Sequence, residues 1–103
     1  MTIPDNFDTL NIPDQISALM RDAGARRFEI QTARLTLLRQ GGNPVTLDFI
    51  DRDRREALGI ALEVRRLRRN GRISNSDARA ELARGAELMR EIHRQRPNWK
   101  VRP

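Results

Sequence analysis

Arg65, Arg68, Arg69 and Arg72 are the residues of this chain best suited to chemistry, and the chemistry is anion binding. They belong to the stretch VRRLRRNGRIS, in which five of the eight residues from Arg65 to Arg72 are arginine. A guanidinium is planar, stays charged and offers a fork of N–H donors that matches phosphate and carboxylate oxygens. On a helix turning about 100° per residue, these four fall within an arc of about 100°. Arg66 lies off that arc. Cations near a helix C-terminus are favoured by the dipole, each by about 0.3–1 kcal/mol. That accounts for one or two arginines. Four on one face repel one another slightly, and only Glu63 is close by in sequence.

The cluster therefore calls for a counter-charge. The sequence offers three: nucleic-acid phosphate, an acidic protein surface (a partner's or that of the chain's own acidic N-terminal half), or Glu81, Glu87 and Glu91 of a second copy. Four to six neutralised phosphates imply a log K against log salt slope of about −4 to −5. Arg96, Trp99, Lys100 and Arg102, in the tail RPNWKVRP, extend the candidate patch if the tail folds back toward the arginines. Trp99 has two readings, a stacking platform for a base or an anchor packed on the helices.

Other chemistry is sparsely represented. The single histidine, His93, lies in the last turn of a helix and reads as a solvent-facing residue favoured by the negative dipole end. No serine lies near it in sequence to activate. Asp51 and Asp53 suggest a D-x-D calcium loop, but the glycine and distal glutamate of that loop are missing. QGGNP lacks the lysine and hydroxyl residue of a phosphate-binding loop. Without cysteine there is no disulfide or thiolate metal site. The expectation is a non-catalytic protein with no metal and no cofactor.

The elements that must carry the arginines can be read from periodicity and caps. Asn11, Pro13 and Asp14 open a short helix, about 12–23, with Gly24 as its natural stop. Phe28, Ile30 and Thr32 alternate, RQGGNP is strong turn punctuation, and Val45, Leu47 and Phe49 alternate again. These features predict a β-hairpin pairing 28–38 with 45–50. The main rival makes 26–39 a helix. A helix over 52–69, capped by Asp51, ends at Asn70-Gly71. Ser74 then caps another, with Asp77 three residues on and Ile73 and Ala78 as staple residues. Ala78, Leu82, Ala86, Met89 and Ile92 form one apolar stripe. The predicted fold is α+β and mostly helical: a short N-terminal helix, a β-hairpin, and a C-terminal antiparallel helical hairpin. An all-α four-helix arrangement is the alternative. Residues 1–103 read as one small domain, with 1–10 a loose arm and 96–103 an extended tail.

The joint LRRNGRISNSDARAEL is similar to the helical hairpin of short C-terminal oligomerisation domains, which carry a G-x-I-[ST]-x-x-[DE] joint. It also resembles the helix joints of phage portal proteins. What the resemblance implies is a well-capped pair of helices.

Charge is unevenly spread. Of the net +6, residues 1–50 contribute −1 and residues 51–103 contribute +7. Nineteen of the twenty cations are arginine, a bias that GC-rich coding explains as well as function does. MTIPDNFDTL is acidic and has no apolar core, so it does not read as a signal peptide, and no run of about 20 apolar residues spans a membrane. The expected setting is the cytoplasm of a bacterial or phage-infected cell. The expected function is a small basic binding module that contacts nucleic acid or a nucleoprotein complex, a regulator or inhibitor of the kind phages and mobile elements encode. The alternative is an oligomeric assembly protein, such as a phage particle component, associating through its helical hairpin.

Overall fold

The computed structural model describes residues 2–99. A 3-10 turn, Phe7–Thr9, leads into three α-helices: α1 (Ile12–Arg39), α2 (Val45–Arg69) and α3 (Asn75–Trp99). Asn11 caps α1 as its sequence suggests, its Oδ1 accepting from the Asp14 N–H at 2.8 Å. Ser74 does the same for α3, its Oγ accepting from the Asp77 N–H at 3.0 Å. The N-terminal residues expected to form a loose arm carry two buried side chains, Ile3 and Phe7. Gln15 ties down the 3-10 turn by donating to the Phe7 carbonyl at 2.8 Å.

Both joints are built alike. After α1, the Gly41 N–H donates to the Leu38 carbonyl at 3.0 Å and the Gly42 N–H to Leu37 at 2.9 Å. After α2, Gly71 donates to Arg68 at 3.1 Å and Arg72 to Leu67 at 2.9 Å. These are Schellman closures, which need a left-handed residue just past the helix. Gly41 (φ 77°) and Gly71 (φ 64°) supply it.

The β-hairpin is absent: among the described residues there is no strand, and 28–38 and 45–50 lie in α1 and α2. The all-helical alternative holds in class, with three long helices rather than four. Burial explains the correction. Alternation on a strand would put Phe28 and Ile30 on one face, yet Phe28 is 78% exposed and Ile30 1%. Val45 and Phe49 are likewise 47% and 53% exposed, while Leu47 between them is buried. The positions that pack are Ala23, Arg26, Ile30, Ala33 and Leu37, spaced as a helical face requires. RQGGNP is a genuine turn, but it joins helices. Gly24 does not stop α1, which runs on to Arg39. Asp51 does not cap α2, which begins at Val45; it pairs instead with Arg54 at 2.9 Å and Arg55 at 3.3 Å. At the other end, α3 continues through Pro97 to Trp99, where an extended tail was expected from Arg96. Residues 100–103 of that tail lie outside the described residues.

Cross-helix bonds give the register. α1 and α3 run parallel: Arg79 donates to the Leu10 carbonyl, His93 meets Asp22, and Arg96 meets Glu29. α2 runs antiparallel to both, with Arg34 on Asp48 at 2.6 Å and Arg84 on Glu56 at 2.8 Å. Leu19, Ala57, Ala61, Leu82, Ala86 and Met89 are fully buried at the centre. Gly85 lets the three helices close there, because a Cβ at that position would stand 2.6 Å from Leu19 Cδ2 and 3.5 Å from Ile60 Cγ2.

The glycines therefore differ in cost. Nothing lies within 4 Å of a Cβ added at Gly24 or Gly59. Gly24→Ala and Gly59→Ala should each stabilise the protein by about 0.5–1 kcal/mol in denaturant melts, whereas Gly85→Leu should destabilise it by about 1–3 kcal/mol. A loss of stability in Gly24→Ala would mean that α1 does end there.

Candidate functional site

Antiparallel packing sets the first two turns of α1 beside the last two of α2. Pro13, Ile16, Ser17 and Met20 recur at helical spacing on one side, and Arg65, Arg68 and Arg69 on the other. Between them lies an open groove of about 420 Å³. Its α1 wall is apolar apart from the exposed Ser17, and its α2 wall is cationic. Arg72 follows one turn on, beyond the Gly71 closure, and its side chain is exposed like those of the other three.

Ion pairing separates these arginines from most of the rest. Among the described residues, none of Arg65, Arg68, Arg69 and Arg72 pairs with a carboxylate, whereas Arg34, Arg54, Arg66, Arg84, Arg94 and Arg96 all do. Arg66, off the arc, grips Glu63 through both Nε and Nη2. That hydrogen bonding raises the Arg66 pKa and holds the Glu63 carboxyl below its ordinary value. Arg84 and Arg94 are raised in the same way by Glu56 and Glu81, and by Glu87 and Glu91. Glu81, Glu87 and Glu91, considered above as counter-charges across an interface, are thus engaged within α3 by Arg84 and Arg94. The acidic N-terminal half does not quench the cluster either. Asp14 sits in the first turn of α1, Asp22 is buried, and Asp48 holds Arg34.

The tail residues assigned to the same patch stand elsewhere. Arg96 and Trp99 belong to the last turns of α3, at the opposite end of a molecule 49 Å long. Arg96 pairs with Glu29, and Trp99 packs partly buried against the core beside Ala33, Leu37 and Leu47. Lys100 and Arg102 lie outside the described residues. The structure therefore brings Arg65, Arg68 and Arg69 together, keeps Arg72 nearby, and separates them from Arg96 and Trp99 by the length of α3, roughly 36 Å at 1.5 Å per residue.

Sequence reasoning missed two features. One is the α1 wall of the groove, because nothing local links Ser17 or Met20 to residues some 50 positions away. The other is His93, which is not solvent-facing. Its Nε2 lies 2.9 Å from both carboxylate oxygens of the buried Asp22. Thr2, Ile3, Asp5, Arg90 and Arg94 border a shallow hollow beside it. An acidic residue at 22, on the same helical face as Leu19, Ala23 and Ile30, was the available signal for this pair.

Among the described residues, no three His, Asp or Glu side chains gather as a metal cage would, and no helix is long and apolar enough to cross a membrane. Comparisons with protein-family models, curated proteins and solved structures return no match.

Butanedione attacks the small neutral fraction of a guanidine, and ion pairing lowers that fraction. Labelling read by peptide mass spectrometry should modify Arg65, Arg68, Arg69 and Arg72 well before the paired Arg34, Arg66, Arg84 and Arg94. Equal rates would show that the two sets do not differ in solution.

Proposed function

We propose that this protein is a non-catalytic binding module whose α2 arginines hold the phosphate backbone of a nucleic acid, alone or within a nucleoprotein complex. The observation that carries this reading is that, among the described residues, Arg65, Arg68, Arg69 and Arg72 have no carboxylate partner while most of the other arginines do. Gathering four cations without internal neutralisation destabilises the free protein, and a polyanion reverses that cost. Phosphate suits the cluster better than scattered carboxylates do, because its charges repeat along a chain as the guanidinium groups repeat along a helix. Arg96, Trp99, Lys100 and Arg102 are not needed for this. A small regulator or inhibitor of the kind phages and mobile elements encode fits the size and charge.

The second reading is an assembly protein that self-associates. Exposed Phe28 and Leu35 favour it. They lie on the outer side of α1, outside the α2–α3 hairpin first considered as the joining surface. Mass in solution separates the two readings, since a strict monomer removes the second.

Changing Arg65, Arg68, Arg69 and Arg72 together to glutamate should leave the helical circular dichroism spectrum and cooperative melt intact, and should abolish nucleic-acid binding in a fluorescence-polarisation titration. Wild-type affinity should fall with salt at a log–log slope of about −3 to −4, corresponding to four phosphate contacts. Unfolding of the quadruple variant would make the cluster internal and structural. A salt-independent affinity would remove the phosphate.

A further inference from the structure

We infer that the groove between α1 and α2 receives an unstacked base, so that the bound nucleic acid is single-stranded. The inference rests on the phosphate reading of Arg65, Arg68 and Arg69 and concerns what lies between them and α1.

The lining of the groove is mixed. Phosphate alone needs only the cationic wall. Opposite it, Pro13, Ile16 and Met20 present an apolar surface with the Ser17 hydroxyl among them. A volume of about 420 Å³ is large enough for a small-molecule-sized group such as a base. A nucleotide has both kinds of surface: a charged phosphate for the guanidinium groups and a flat, weakly polar base for Met20 and Ile16. Guanidinium planes also stack on bases, which suits a groove with no aromatic side chain among its lining residues. The hydroxyl of Ser17 can donate or accept, so it meets a base edge without demanding one base.

Duplex recognition fits this arrangement poorly. The B-DNA major groove is about 12 Å wide and admits one helix. A helix with its side chains is itself about 10–12 Å across. Here three of the arginines line a groove they share with α1. To carry them into a major groove, α2 would have to bring α1 with it, and two helices side by side do not fit. An unpaired strand has no such restriction, because its backbone can follow α2 while a base turns toward α1.

The test uses the whole protein and three labelled DNAs: a single strand of about 12 nucleotides, the same strand with its bases removed at abasic sites, and the corresponding duplex. Polarisation titrations at low salt should find the intact strand bound about tenfold more tightly than either the abasic strand or the duplex. Met20→Ala removes apolar floor without changing charge. It should weaken the intact strand and leave the abasic strand unchanged. Ser17→Glu, at an exposed helical position, puts a carboxylate opposite the guanidinium groups and should lower affinity for the intact strand at least about tenfold while the melting temperature holds.

If the duplex or the abasic strand binds as tightly as the intact strand, the base pocket is wrong while the phosphate reading stands. Full affinity in Ser17→Glu moves binding out of the groove and overturns the inference in the same way. If neither the three DNAs nor the same single strand made as RNA binds at low salt, the proposed function itself falls, and the base pocket with it.

Discussion

A row of polar groups between α1 and α3, anchored on the buried Asp22 and Arg26, fixes how those two helices meet. Asp22, Arg26 and Glu29 lie on successive turns of α1, and His93 and Arg96 on α3. Asp22 is buried beneath His93, Arg26 reaches Glu29 at 2.6 Å, and Glu29 also holds Arg96. Burying such groups without partners is costly, so they tolerate few alternative pairings. Sliding α3 by one residue would rotate His93 about 100° away from Asp22. Apolar side chains alone do not impose so narrow a register, because leucine and alanine pack acceptably in many. This row sets the register of α3 against the middle of α1, and Arg79 on the Leu10 carbonyl sets it at the start.

With that pair set, α2 has one place left. The short joints after Arg39 and Arg69 make it antiparallel to both neighbours. Gly85 lets α3 approach until Leu19 and Ile60 occupy the space a Cβ would need. The first turns of α1 then stand beside the last turns of α2. A helix start favours nearby anions and a helix end favours nearby cations, so this end of the bundle combines Asp14 on one helix with Arg68 and Arg69 on the next. Asp14 stays in its own first turn and leaves the arginines unpaired.

Charge is distributed accordingly. Along α3 and the first half of α2, carboxylates and guanidinium groups alternate at spacings of three and four and neutralise one another locally. The pattern lapses after Glu63. From Arg65 onward no carboxylate occurs until Asp77, and the intervening Schellman closure turns the chain without adding one. The unpaired arginines of α2 are thereby gathered at one edge of the molecule, next to an apolar wall.

How much of this was readable in the sequence depended on how local the cause was. The caps at Asn11 and Ser74, the closure at Asn70-Gly71, the uninterrupted α3 stripe and the arginine arc all follow from neighbours within a turn or two, and all were legible. Residues 28–38 and 45–50 were not, because Phe28, Val45 and Phe49 are exposed apolar residues that mimic the alternation of a strand. Only the partner helices show which apolar residues turn inward. Gly24 misled for a related reason: a glycine ends a helix only where nothing beyond it packs, and Ile30 and Ala33 pack. His93 and the α1 wall of the groove depend on residues some 50 to 70 positions apart. The sequence by itself determined the caps at Asn11 and Ser74, the closure at Gly71 and the arginine arc on α2, since those are short-range matters of hydrogen bonding and electrostatics. Tertiary structure alone decided that α1 is one long helix, that Asp22 takes His93, and that three arginines face Ser17 and Met20, because burial and register are properties of surfaces that meet only in the folded chain.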